Sequence, residues 1–69
     1  MHLIRIKTEN LGLVYINLED ISLFYFDPSI NKTNIETKNK KVFAISGDCT
    51  IKLSKIITVS TNGNTTTLE

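Results

Sequence analysis

Six consecutive residues, Ile21-Ser22-Leu23-Phe24-Tyr25-Phe26, constrain this chain more than any other stretch. They form its most apolar run, bounded by Glu19-Asp20 before and Asp27-Pro28 after. Aromatic and β-branched side chains suit a pleated surface, and so short a run is poor material for a helix. Proline lacks an N–H and keeps its predecessor out of helical geometry, so Asp27-Pro28 ends the element. The run therefore reads as a strand. Strict alternation puts Ile21, Leu23 and Tyr25 on one face and Ser22, Phe24 and Phe26 on the other. Neither face is properly polar, so such a strand needs cover on both sides.

A chain of 69 residues has room for one domain. A domain of that size buries only about 60% of the surface its unfolded chain exposes, which leaves stability marginal. Small domains commonly compensate with a disulfide, a metal or a partner subunit. Cys49 is the sole cysteine and His2 the sole histidine, which excludes an internal disulfide and gives no metal-ligand spacing. Gly12, Gly47 and Gly63 stand apart, without phosphate-loop spacing. No cofactor is expected. Self-association remains, and the expectation is a homodimer with Leu23, Phe24, Tyr25 and Phe26 as interface candidates.

From the start, Ile4 and Ile6 alternate with Arg5 and Lys7, which reads as a first strand with one wet side. Glu9-Asn10-Leu11-Gly12 has turn composition, and Leu13-Val14-Tyr15-Ile16 is a second strand that closes a hairpin. Asn17 can cap a single helical or 3₁₀ turn leading to Asp20. After the central run, Asp27 to Thr33 reads as a polar loop. Asn34 to Thr37 and Lys41 to Ile45 are two further strands around the Lys38-Asn39-Lys40 turn. Ser46-Gly47-Asp48 breaks the chain again.

From Cys49 to Val59 the period is two, with Cys49, Ile51, Leu53, Ile57 and Val59 on one side and Lys55 violating it. The abundance of Thr, Ile and Val favours a strand. A helix that gathers Leu53, Ile56 and Ile57 is the competing reading. Asn62-Gly63 is a two-residue hairpin signal that would return Asn64–Thr67 against Thr58–Thr61 as a ribbon, with a polar tail as the alternative.

The expected architecture is all-β, a small antiparallel meander or half-open barrel of about five to seven short strands, with one short helical turn near residues 17-20. Residues 1-60 form the single β domain, 61-67 the terminal hairpin or tail, and 68-69 resemble a tag junction. With no leader and no apolar run near the ~20 residues a bilayer requires, no membrane partner is expected and a cytoplasmic location is. Abundant Ile, Asn and Lys suit an AT-rich bacterial or phage genome.

Net charge is only +1, but its distribution is uneven. Up to Glu36, Glu9, Glu19, Asp20, Asp27 and Glu36 oppose Arg5, Lys7 and Lys32; beyond it, Lys38, Lys40, Lys41, Lys52 and Lys55 oppose Asp48 and Glu69. The front is mildly acidic and the rear basic. Lys38, Lys40 and Lys41 at one hairpin tip, with Lys52, are the candidate nucleic-acid contacts, since lysines on a loop and strand can meet backbone phosphates while exposed aromatics offer a stacking surface. An ordinary solvated turn has the same composition, and edge lysines also discourage sheet aggregation. An enzyme is not expected. Cys49 opens an apolar-alternating segment as a small hydrophobe would, and the adjacent carboxylates of Glu19-Asp20 point apart on an extended chain. A protein-interaction or assembly module built on the aromatic strand is the alternative to nucleic-acid binding.

Three segments, Ile16-Asn17-Leu18-Glu19-Asp20-Ile21, Thr37-Lys38-Asn39-Lys40-Lys41-Val42-Phe43 and Leu53-Ser54-Lys55-Ile56, together resemble the first half of a LytTR-type DNA-binding domain. The likeness is a pattern spanning Leu3 to Ile57: an Asp-Ile step leading into a strand, a Thr-x-x-x-Lys hairpin, then a leucine-bearing segment. It implies DNA as ligand and a helical third segment. The family's second half, which carries its DNA-reaching loops, has no counterpart among these residues, so no contact residue is carried over.

Overall fold

The computed structural model describes residues 2–58 and 65–68. Its order is β1 (Leu3–Thr8), β2 (Gly12–Asn17), a 3₁₀ turn (Leu18–Asp20), β3 (Ile21–Asp27), β4 (Lys32–Thr37), β5 (Val42–Ser46), α1 (Thr50–Thr58) and β6 (Thr65–Leu68). The mostly-β class expected from the sequence is therefore observed, with one short helix added. Two three-stranded sheets form, ordered β2-β1-β6 and β3-β4-β5. All pairings are antiparallel except β1 with β6, which is parallel.

Alternation builds the core. Ile4 and Ile6 of β1, Ile16 of β2, Ile35 of β4, Phe43 and Ile45 of β5, and Cys49 and Leu53 around α1 make one buried cluster drawn from both sheets. Val14, Leu18, Ile21, Phe24 and Ile56 pack on its margin. Burial of this apolar surface is the main favourable term for so small a body. Three threonines, Thr8, Thr33 and Thr37, are buried beside it, and each hydroxyl is hydrogen-bonded, as burial of a polar group requires.

The β1–β2 turn ties the two sheets together. In the β1–β2 turn, Glu9 N–H donates to the Ala44 carbonyl at 2.8 Å. The Asn10 side chain donates to the Val42 carbonyl and accepts from Ala44 N–H. An otherwise open edge of β5 is thereby closed, which removes a template for unwanted strand pairing. Lys38 N–H donates to the Asp20 carbonyl at 2.7 Å, which continues the β3–β4 ladder into the 3₁₀ turn. The 3₁₀ turn forms where expected, with Asn17 Oδ1 accepting from Glu19 N–H.

Three readings of the sequence are corrected. Residues 50–58 are helical, not a strand. Cys49, Leu53 and Ile56 lie at i, i+4 and i+7 and face the core, the spacing of a helical stripe, while Ile51, which supported the strand reading, is 69% exposed. The helix is also anchored at its start: Thr33 Oγ1 accepts Cys49 N–H, and Asp48 Oδ1 accepts both Thr50 N–H and the Thr50 hydroxyl. Second, the polar loop after β3 is shorter than expected, because β4 already begins at Lys32. Third, Thr65–Leu68 pairs in parallel with Leu3–Ile6, a pairing the hairpin reading did not foresee; most of the ribbon partner expected at Thr58–Thr61 lies outside the described residues. The Asn62-Gly63 turn itself lies outside the described residues.

The central strand also departs from simple alternation. Ile21 pairs with Thr37 but Leu23 with Glu36, so Ser22 is an extra residue in a β-bulge. A bulge resets the in–out phase of its strand. Ile21 consequently packs on the core with Phe24, while Leu23 and Tyr25 remain on the outside.

Candidate nucleic-acid interface

Lys38, Lys40 and Lys41 are exposed at the tip between β4 and β5, on a backbone held firmly. Thr37 N–H donates to the Lys41 carbonyl at 2.9 Å, and Lys40 N–H donates to the Thr37 carbonyl at 2.9 Å. The buried Thr37 hydroxyl accepts Lys41 N–H and donates to Asn39 Oδ1. Lys40 sits in the left-handed region at φ 67°, where an L-residue is costly. Three cations are thus carried on a turn held by its own hydrogen bonds.

The turn opens on a groove of about 180 Å³ between β2 and the β4–β5 tip, where Tyr15, Asn17 and Asp20 face Asn39 and Lys41. Of its two aromatic residues, Phe43 is buried in the core and Tyr15 belongs to the outer face of β1 and β2. There Arg5 is directly opposite Tyr15, and Lys7 directly opposite Leu13. The outward residues of the pair are Leu3, Arg5, Lys7, Leu13, Tyr15 and Asn17, a set with two cations and no carboxylate. Reading β1 and β2 separately hides this face; the short turn between them fixes the register and would have exposed it.

Lys52 is placed elsewhere. It is on the exposed side of α1, whose start is fastened to Thr33 of β4, whereas the turn lysines follow Thr37. Those two points are ~13 Å apart at the usual strand rise. The expected four-lysine set is therefore divided between two elements.

The interface candidates are divided too. Leu23 (46% exposed) and Tyr25 (42% exposed) are on the outer face of the second sheet together with Val42. Phe24 is half-buried against the core and lines a groove with Thr50, Ile51, Ser54 and Lys55 of α1. Phe26 is half-buried and pairs with the buried Thr33.

Two carboxylates, Glu9 and Asp48, are engaged structurally. The Lys32 ammonium, 2.7 Å from Glu9, holds the Glu9 carboxyl below its ordinary value. Hydrogen bonds from the Thr50 hydroxyl and then the Thr50 N–H do the same for Asp48. Cys49 is buried, its Sγ directed at the Ser46 carbonyl at 3.9 Å. Among the described residues no group of three or more His, Cys, Asp or Glu is placed to hold a metal. No helix among them is long and apolar enough to cross a membrane.

Comparison with known proteins gives no family: no protein-family model, curated protein or solved structure matches this chain.

Proposed function

We propose that this protein is a small non-enzymatic β-sheet module that binds nucleic acid through the Lys38–Lys41 turn. The observation that carries the reading is the pre-formed tip itself. The backbone that carries its three exposed lysines is held by the Thr37 and Asp20 hydrogen bonds, and Lys41 lines the groove that contains Tyr15. A turn already in shape loses little conformational freedom on binding, and lysines that displace counterions from a phosphate backbone gain affinity at low salt. A cytoplasmic setting belongs to the proposal, since a free cysteine persists there as a thiol.

The test is a fluorescence-anisotropy titration of labelled DNA and RNA oligonucleotides across a salt series. The expected result is binding that weakens with a log–log slope of about −2 to −3, as roughly three phosphate contacts dictate. Lys40→Glu with Lys41→Glu should remove most of it. Absence of binding to every oligonucleotide at low salt, or binding indifferent to the double substitution, defeats the reading.

A second reading is favoured by a specific feature, the outer face of the second sheet. Leu23, Tyr25 and Val42 are each more than 40% exposed, with Leu23 and Val42 flanking Glu36 in one cross-strand row. In this reading a second copy of the chain covers that face and the protein acts as an assembly module. Sedimentation equilibrium decides it: a dimer that Tyr25→Lys converts to monomer supports the reading, and a monomer at all concentrations removes it.

A further inference from the structure

We infer that the ligand is a single strand of nucleic acid, and that the outer face of β1 and β2 binds it with Tyr15 as the base-stacking surface. This rests on the nucleic-acid reading above and specifies its ligand. Three features of the face converge. It carries Arg5 and Lys7 with no carboxylate among its outward residues. Alternate residues of a strand are ~7 Å apart on one face, so the two cations can meet successive phosphates of an extended chain. Between them and the turn lies Tyr15, 58% exposed, opposite Arg5 in register and on the same groove as Lys41.

The tyrosine therefore joins the two cationic sets, with Arg5 and Lys7 on the sheet and Lys41 across the groove, whose lining also includes Asp20. An aromatic ring flanked by cations along a backbone track is the arrangement that holds unpaired bases, because each base offers a free π-face. A duplex hides those faces in its own stack and presents only phosphates to such a surface. Leu13, 51% exposed and opposite Lys7, extends the apolar part of the platform.

The experiment uses the full chain with labelled oligo(dT), oligo(rU) and a hairpin duplex at low salt. Tyr15→Ala, Tyr15→Phe, Arg5→Gln with Lys7→Gln, and the turn variant Lys40→Glu with Lys41→Glu are compared, each confirmed folded by circular dichroism. The expected result is at least one single strand binding tenfold or more tighter than the duplex. Tyr15→Ala should lose about tenfold of that affinity, the scale of one stacked base, while Tyr15→Phe retains it. The paired Gln variant should flatten the salt slope. Whichever of oligo(dT) and oligo(rU) binds tighter identifies the natural strand chemistry, and either supports the inference. If the turn variant weakens binding while Tyr15→Ala and the Gln pair match wild type, or if duplex is preferred, the sheet face is not the platform and the inference fails with the broader reading intact. If wild type binds none of the three, both fall together.

Discussion

The hydroxyl of Thr33 accepts the backbone N–H of Cys49 at 2.9 Å and donates to the carbonyl of Gly47 at 2.7 Å. One buried side chain on β4 thus fastens both the turn before α1 and the start of the helix. Thr33→Val keeps the shape but leaves a donor and an acceptor without partners in the interior. The expected loss is about 2–3 kcal/mol, read as a lower urea midpoint with unchanged m-value. Thr33→Ser retains the bonds and should recover most of that loss.

Asn10 closes the edge of β5 through Val42 and Ala44. Asn10→Ala should cost about 1 kcal/mol, because these groups are near solvent and water can replace the lost bonds. The diagnostic change is local: the Ala44 amide should exchange faster with deuterium, and the protein should aggregate more readily on heating as the strand edge opens.

The carboxyls of Asp48 and Glu9 titrate below their ordinary values of 3.8 and 4.5. A carboxyl whose folded value is depressed contributes stability that is present above the unfolded value and lost as pH falls through the folded one. Stability should therefore decline as pH drops below about 5. Asp48→Asn with Glu9→Gln should make the decline shallower in a series of denaturant titrations. An unchanged slope would mean that other groups govern the acid response.

Lys40 at φ 67° offers a separation of stability from binding. Glycine adopts that conformation without a Cβ clash, so Lys40→Gly should raise stability by up to about 1 kcal/mol. The same change removes one turn cation and should weaken oligonucleotide binding. A variant that melts higher yet binds less would show that the strained residue is kept for its charge.

The strands were legible because their alternation is clean: Ile4 and Ile6 against Arg5 and Lys7, and the Asp27-Pro28 stop after the aromatic run. The helix was not, because its apolar residues include Ile51 and Ile57, both exposed, which mimic a period of two. The Asp48 cap and the Cys49, Leu53, Ile56 stripe were local signals for the helix, and a non-local one adds to them: Thr33, sixteen positions earlier, accepts the Cys49 N–H just before α1. The parallel pairing of β6 was hidden by the same misreading, since a parallel return needs a crossover that a strand at 50–58 would not supply. At the candidate site the turn lysines were visible as a cluster. Tyr15 was not, since its relation to Arg5 exists only once two strands are registered.

The extra residue at Ser22 has an implication for how this surface can change. Because the bulge breaks the phase of β3, the corner that holds Ile21 no longer shares a side with Leu23 and Tyr25. Substitutions at the two outward positions can accumulate without disturbing the hydrophobic joint one step earlier. Loss of the single serine would couple them again, so that any new partner on the outside would be acquired at the expense of the interior.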